Sequence, residues 1–190
     1  MTDTRLPRLT RAELTPEQAG LHERITSGPR ASGPFALQDA DGALTGPFGI
    51  MLHAPGLGGP LQELGAAIRY RTGLSDRVRE IAILGVAAAT DCAFERYAHE
   101  RVGRAAGLTE AELEALACRT FTSGDPVETA AYALCERLEE SVVRLSDAEY
   151  AAAERVLGRE AILELVALVG YYRTLAQLMA VFEVGQAPPG

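Results

Sequence analysis

The sequence contains no lysine and no tryptophan, and all 18 basic residues are arginine. Without lysine there is no side-chain amine for Schiff-base chemistry and no Walker-type phosphate lysine. Cysteine is scarce. The three present, Cys92, Cys118 and Cys135, cannot all pair within one chain, and no two have CxxC spacing. Neither a disulfide framework nor a zinc knuckle is indicated. Positive charge is also in deficit, with 18 basic against 26 acidic residues and a formal net charge of −8. That balance argues against a general nucleic-acid partner, which would need a basic face. The opening stretch MTDTRLPRLTRAEL lacks the apolar core of a signal peptide. The most apolar run, Leu165 to Tyr172, falls between Glu164 and Arg173, short of the roughly 18 residues that span a bilayer. A soluble, cytoplasmic chain with no membrane partner is the expectation.

What is present is a core-forming composition. At 190 residues and 47% hydrophobic, the chain suits one domain with a genuine core, or one domain plus an arm. Residues 1–45 read as the arm. They hold one helix, TPEQAGLHERIT, with Thr15 as N-cap, Pro16 at the first helical position and Gln18 completing a capping box. A Gly/Pro/Asp-rich loop covers residues 27–49. Residues 46–184 read as a helical domain, and 185–190 (GQAPPG) as a tail that frays. Its helices are GPLQELGAAIRYRTG, then SDRVREIAILGVAAAT capped by Ser75, then TEAELEALA with the Thr109/Glu112 box. DPVETAAYALCERLEESVVR follows with Asp125 as cap, then SDAEYAAAERVLG with the Ser146/Glu149 box and a stop at Gly158. The last helix, from Arg159 to Val184, is apolar on almost every face, so it belongs in a core or a subunit interface. No strand alternation or fixed-period repeat is visible. The fold class is all-α.

Chemistry concentrates in TDCAFERYAHE, residues 90–100. Cys92, Glu95 and His99 stand three and four residues apart, which puts them on one face of a helix. If Asp91 caps that helix, Cys92 takes the first helical position, where free backbone N–H groups favour an anion. Glu80 lies in the preceding helix, and a break near residue 90 lets the two segments fold against each other. Glu95 opposite His99 raises the imidazole pKa and orients the ring for general acid–base work, with Glu80 as orienting group or second base. The competing interpretation is an ordinary helix-stabilising pair worth a few tenths of a kcal/mol. A metal site from Glu80, Glu95, His99 and Cys92 is set aside, because di-iron bundles use Glu-x-x-His spacing instead. A two-cysteine peroxidase needs a resolving thiol near Cys92, and Glu95 would only raise that thiol's pKa. Cys118 and Cys135 read as core residues.

The register of Glu80, Cys92, Glu95 and His99 resembles the carboxymuconolactone decarboxylase and alkyl hydroperoxidase D superfamily. Its peroxidase branch carries Glu, CxxC and His, and here Glu95 stands where the second cysteine would. FERYAH (Phe94 to His99) is similar to the Tyr-Glu-Trp-x-x-His pattern of the decarboxylase-like branch, with Phe94 for Tyr and Arg96 for Trp. The flanking stretches PFGIMLHAPGLGGPLQELGAAIRYRTGLSDRVREIAIL and ELVALVGYYRTLAQLMAVF resemble the same branch, so the likeness covers roughly residues 46–184.

The resemblance implies a trimer or hexamer and an enzyme that uses no cofactor and no metal on a small organic acid or lactone. In the family's named reaction a carboxylate leaves a carbon conjugated to a butenolide, which accepts the electrons. His99 then reprotonates the enolate and an arginine or backbone N–H holds the anion. The side chains of Glu80, Glu95 and His99 are expected at one cavity, with Cys92 at its rim. His53 either contacts substrate or sits on a surface loop. Seven arginines against five acids between residues 69 and 104, Arg79 and Arg96 among them, suit an anionic substrate or a solvated face. Tyr171 and Tyr172 on the last helix either pack or, in one case, line the pocket. A hydroperoxide reductase using Cys92 and a non-catalytic oligomeric ligand binder are the two other readings.

Overall fold

The computed structural model describes residues 5–140 and 144–184. Eight helices follow in order: α1 (Pro16–Ser27), α2 (Gly46–Met51), α3 (Pro55–Tyr70), α4 (Asp76–Ala89), α5 (Ala93–Ala105), α6 (Glu110–Ala117), α7 (Pro126–Glu140) and α8 (Asp147–Phe182). Among the described residues there is no strand, and the fold is all-α. One isolated bridge, Gln38 to Leu44, closes the turn before α2. The tail 185–190 and the segment 141–143 at the end of the α7 stretch lie outside the described residues.

Local sequence accounts for most helix starts. Thr15 accepts from Gln18 N, Ser75 from Val78 N, Thr109 from Glu112 N and Ser146 from Glu149 N. Asp125 Oδ1 accepts from Val127 N at 2.7 Å and Glu128 N at 3.3 Å. Each such cap satisfies an orphan donor and is worth about 1 kcal/mol. Two starts differ from expectation. α3 begins at Pro55 rather than near Gly59, and α2 forms inside the stretch read as loop. In both cases proline opens the first turn, where its missing N–H costs nothing.

α4 is the centre of the molecule. It is buried at every position from Val78 to Ala87 and packs against α5, α6, α7 and α8. A helix enclosed on all sides has no wet face, so Glu80, 1% exposed, must find its partners inside. The stretch before residue 46 is part of the same core, contributing Leu21, Ile25, Leu37 and Leu44. A smaller cluster of Ile81, Leu84, Leu113, Leu116, Phe121 and Tyr132 joins α4, α6 and α7.

α8 is two helical segments meeting at Gly158, whose φ of 78° only glycine adopts without cost. Its apolar stretch extends well beyond the Leu165 to Tyr172 run, and by length and composition the helix is long and apolar enough to cross a membrane. Leu165, Leu168, Val169, Tyr172, Leu175 and Met179 are nevertheless buried against the rest of the protein, as in a core helix. The opposite face leaves Leu163 70% exposed, with Val166 and Val181 beside solvent, while α3 exposes Leu57 and Leu64.

Candidate active site

The turn between α4 and α5 sets the geometry. α4 ends at Ala89, Asp91 takes a left-handed conformation (φ 49°), and Cys92 N–H returns to Ala87 O at 2.9 Å. Cys92 is therefore the N-cap of α5 and does not occupy its first turn, and Asp91 does not cap the helix. The reversal brings α5 alongside α4, and Glu80 meets His99 across the interface.

His99 stands between two carboxylates. Its Nδ1 is 2.6 Å from Glu80 Oε2, and its Nε2 is 3.3 Å from Glu95 Oε2. A neutral imidazole has one N–H, so two facing carboxylates call for the doubly protonated ring. Burial opposes that charge, but the Glu80 carboxylate and its hydrogen bond, with Glu95 behind them, hold the His99 pKa above its ordinary value. Glu80 is the converse case. Burial would raise its pKa, yet His99 and then Arg69 keep it below the usual carboxylate range. Arg69, in the last turn of α3, donates from Nη1 to Glu80 Oε1 at 3.1 Å. From α8, Tyr172 closes on the His99 ring edge-to-face, with centroids 5.2 Å apart, and Tyr171 stacks edge-on behind it. Burial pushes the Tyr172 phenol well up and that of Tyr171 to about 12, so both stay protonated. Gly65 makes room for this packing, since a Cβ there would lie 2.1 Å from the Tyr171 hydroxyl.

Glu95, His99, Arg69, Tyr171 and Tyr172 line a small cavity of about 50 Å³, together with Arg30 from the long connection after α1. Glu80 does not line it, but stands behind His99. A second cavity of about 630 Å³ lies beyond, walled by Leu6, Leu9, Ile50, His53, Tyr97 and neighbouring residues. Phe35 and Phe94 line both cavities and meet edge-to-face at 6.5 Å.

The other expected site residues fall elsewhere. Arg79 is buried but turns away, its guanidinium donating to Leu74 O and Asp76 Oδ1, because it sits one turn from the α4 N-terminus where those acceptors are exposed. Arg96 is exposed and pairs with Glu100 four residues on, on the outer face of α5. His53 lines the larger cavity, with Nε2 3.0 Å from Pro7 O, and does not reach His99. Cys92 is half-buried and lines neither cavity. Burial raises its thiol pKa, and the Glu95 and Asp91 carboxylates add to this against two backbone N–H groups. Arg30 and Arg69 are the charged site-lining residues that sequence reasoning did not single out, while Tyr171 and Tyr172 both line the cavity. Among the described residues no group of three or more His, Cys, Asp and Glu side chains has the geometry to hold a metal ion.

With this arrangement in view, the fold is that of the alkylhydroperoxidase core. A peroxidase-related protein from Ralstonia eutropha JMP134, described as an alkylhydroperoxidase AhpD core, superposes with a TM-score of 0.77 at 14% identity, covering 97% of this chain and 92% of that one. The debrominase Bmp8 superposes with a TM-score of 0.72 at 16% identity, covering 99% of this chain and 94% of its own. A variant of Bmp8 in complex with 2,3,4-tribromopyrrole gives 0.74 at 15% identity, covering 98% and 94%. None of the curated proteins matches the sequence. Residues 55–137 match the model of the carboxymuconolactone decarboxylase family. That match spans less than half of the chain, and what the chain shares with the solved structures is the fold.

Proposed function

We propose that the protein is a cofactor-independent enzyme that acts on a small organic acid or lactone by proton transfer at carbon. The observation that carries this is His99, held between the Glu80 and Glu95 side chains, which favour its charged form, at the wall of a cavity. Its two bonds are unequal. The 2.6 Å contact to Glu80 fixes the Nδ1 side, while the 3.3 Å contact to Glu95 leaves the Nε2 proton free to move. When the C–C bond to a carboxylate breaks and CO2 departs, the electron pair stays on the carbon conjugated to the lactone carbonyl and forms an enolate. The Nε2 proton of the imidazolium passes to that carbon and leaves a neutral imidazole, whose remaining Nδ1–H donates to Glu80 while Arg69 holds Glu80 in place. Water is kept out by Tyr171, Tyr172 and the Phe35–Phe94 pair.

The thiol chemistry of a hydroperoxide reductase finds less support. Cys92 has a raised pKa, Cys118 is exposed and bonded to Glu114, and Cys135 is buried with its thiol pushed up to about 12. Incubation with carboxylated butenolides in D2O, followed by NMR, tests both ideas. We expect deuterium at the lactone carbon, with Cys92→Ser within about tenfold of wild type. Robust reduction of tert-butyl hydroperoxide that vanishes in Cys92→Ser would replace this reading with the peroxidase.

The exposed apolar side chains of α3 and α8 support self-association, and we expect a trimer or hexamer. Light scattering at micromolar concentration checks this, and a mass near the 20.2 kDa of one chain would refute it. Three free cysteines suit a reducing compartment, so the cytoplasm is the proposed location.

A further inference from the structure

Arg30 is a buried cation without a carboxylate. It is 8% exposed, and its described hydrogen bonds run from Nη1 to Gln62 Oε1 and from Nη2 to Gln62 O, both at 3.2 Å. Its guanidinium also lies 5.4 Å from the centroid of the Phe48 ring. Among the described residues no Asp or Glu is within ion-pair distance of it, although the half-buried Arg69 pairs with Glu80 and the buried Arg79 with Asp76. A guanidinium has five N–H donors, and burying it against a neutral amide and a ring leaves most of its desolvation cost uncompensated. Natural cores pair such charges unless something else is to supply the anion.

The cavity makes the same point by its charge. Arg30, Arg69 and His99 line it as three cations, while Glu95 at its wall and Glu80 behind it are the two carboxylates. With the imidazolium that the two flanking carboxylates require, the pocket is one negative charge short. Its volume of about 50 Å³ accommodates a single small group such as a carboxylate, not a whole substrate. The adjoining cavity of about 630 Å³ is of substrate size, and its walls are mainly apolar. Where it is charged, Arg8 is already held by Asp39 and Asp41. The partition between the two is asymmetric. Phe94 is packed against Gly46, where a Cβ would come within 2.3 Å of the ring, whereas Phe35 is only partly buried.

We propose that Arg30, together with Arg69, forms an anion subsite that seats the carboxylate of the substrate, while the apolar body of the same molecule lies in the larger cavity past Phe35. The substrate class is therefore a monocarboxylate with an apolar body. This rests on the reading that the small cavity is where proton transfer takes place, but its test is a binding measurement that needs no turnover. The pair of probes is phenylacetate and 2-phenylethanol, alike in shape and differing in charge, titrated calorimetrically into the full-length protein at neutral pH and fixed ionic strength.

We expect phenylacetate to bind at least about tenfold more tightly than the alcohol, and nitrate to compete with it. Arg30→Met should abolish the preference, and Arg30→Lys should keep part of it. Equal binding of the two probes by the wild-type protein, or a preference that survives in Arg30→Met, overturns the subsite. The wild-type comparison alone decides the matter should Arg30→Met not fold. Failure of the subsite and failure of the proposed chemistry also remain distinct. Loss of the preference with deuterium still entering the lactone removes only the subsite. A clear preference without any deuterium exchange removes only the proton-transfer reading.

Discussion

Replacing His99 by asparagine should lower turnover by about 100-fold to 10,000-fold, the usual contribution of a positioned general acid. Asparagine keeps an N–H donor toward Glu80 but carries no transferable proton, so the loss should fall on the chemical step and not on substrate binding. Glu95→Gln should cost less, because the imidazole still holds its proton while only the acceptor on the Nε2 side is lost. The assay is single-turnover deuterium incorporation for both variants, with circular dichroism to show that they fold. A folded His99→Asn protein with wild-type exchange would reduce the cluster to packing.

Glu80→Gln should destabilise the protein by about 3–5 kcal/mol, the cost of removing one member of a buried ionic network. The amide leaves Arg69 without its counter-ion and His99 without the partner that holds it charged. Urea denaturation measures this, and a loss under about 1 kcal/mol would mean that the network is solvated. The same pair governs the pH dependence. His99 has a folded pKa raised above 6.5, so its contribution is complete below that pH and is lost as pH rises through the higher folded value. Glu80 has a folded pKa lowered below 4.5, so its contribution is complete above that pH and is lost as pH falls through the lower folded value. Wild-type stability contributed by this network should be greatest between those limits and decline toward alkaline pH. That alkaline decline should flatten in Glu80→Gln. Glu95, Arg69 and Tyr172 are the other charged or titratable groups against the ring, and all three remain in that variant.

Local signals were readable in the sequence and long-range ones were not. The boxes at Thr15, Thr109 and Ser146, the Ser75 cap and the Gly158 break each depend on a few neighbouring residues, and each appears where the sequence put it. The pairing of Glu95 with His99 is likewise a one-turn relation. Glu80 was found through the register of a resembling family, because its partner is 19 residues away and no periodicity links them. The arginines were misassigned for the same reason. Composition exposed a local excess, but which guanidinium faces inward depends on tertiary packing: Arg79 donates to Leu74 O and Asp76 at the start of its own helix while Arg69 reaches the cluster. Arg30 lies 32 residues before its hydrogen-bond partner Gln62, in a stretch read as arm and loop, and nothing local marks it. Asp91 looked like a cap by residue type, whereas the chain needed a left-handed reversal at that point, a conformation aspartate tolerates better than most.

The enclosure of α4 has a bearing on how such a protein can diversify. Backbone amides of a helix buried on every side exchange with solvent only when much of the molecule opens, so Glu80 rides on the last segment to come apart. His99 and Arg69 are bonded directly to it. Arg30 and Phe35 belong instead to the connection between α1 and α2, outside the family-matched region and held by few helical bonds. Leu37 and Leu44 of this stretch are core residues, but substitutions at its exposed positions can accumulate without loosening the centre. Heritable change in ligand preference would therefore be concentrated at the exposed positions of the connection spanning residues 28–45, while the ionisable groups against α4 stay under the strictest constraint.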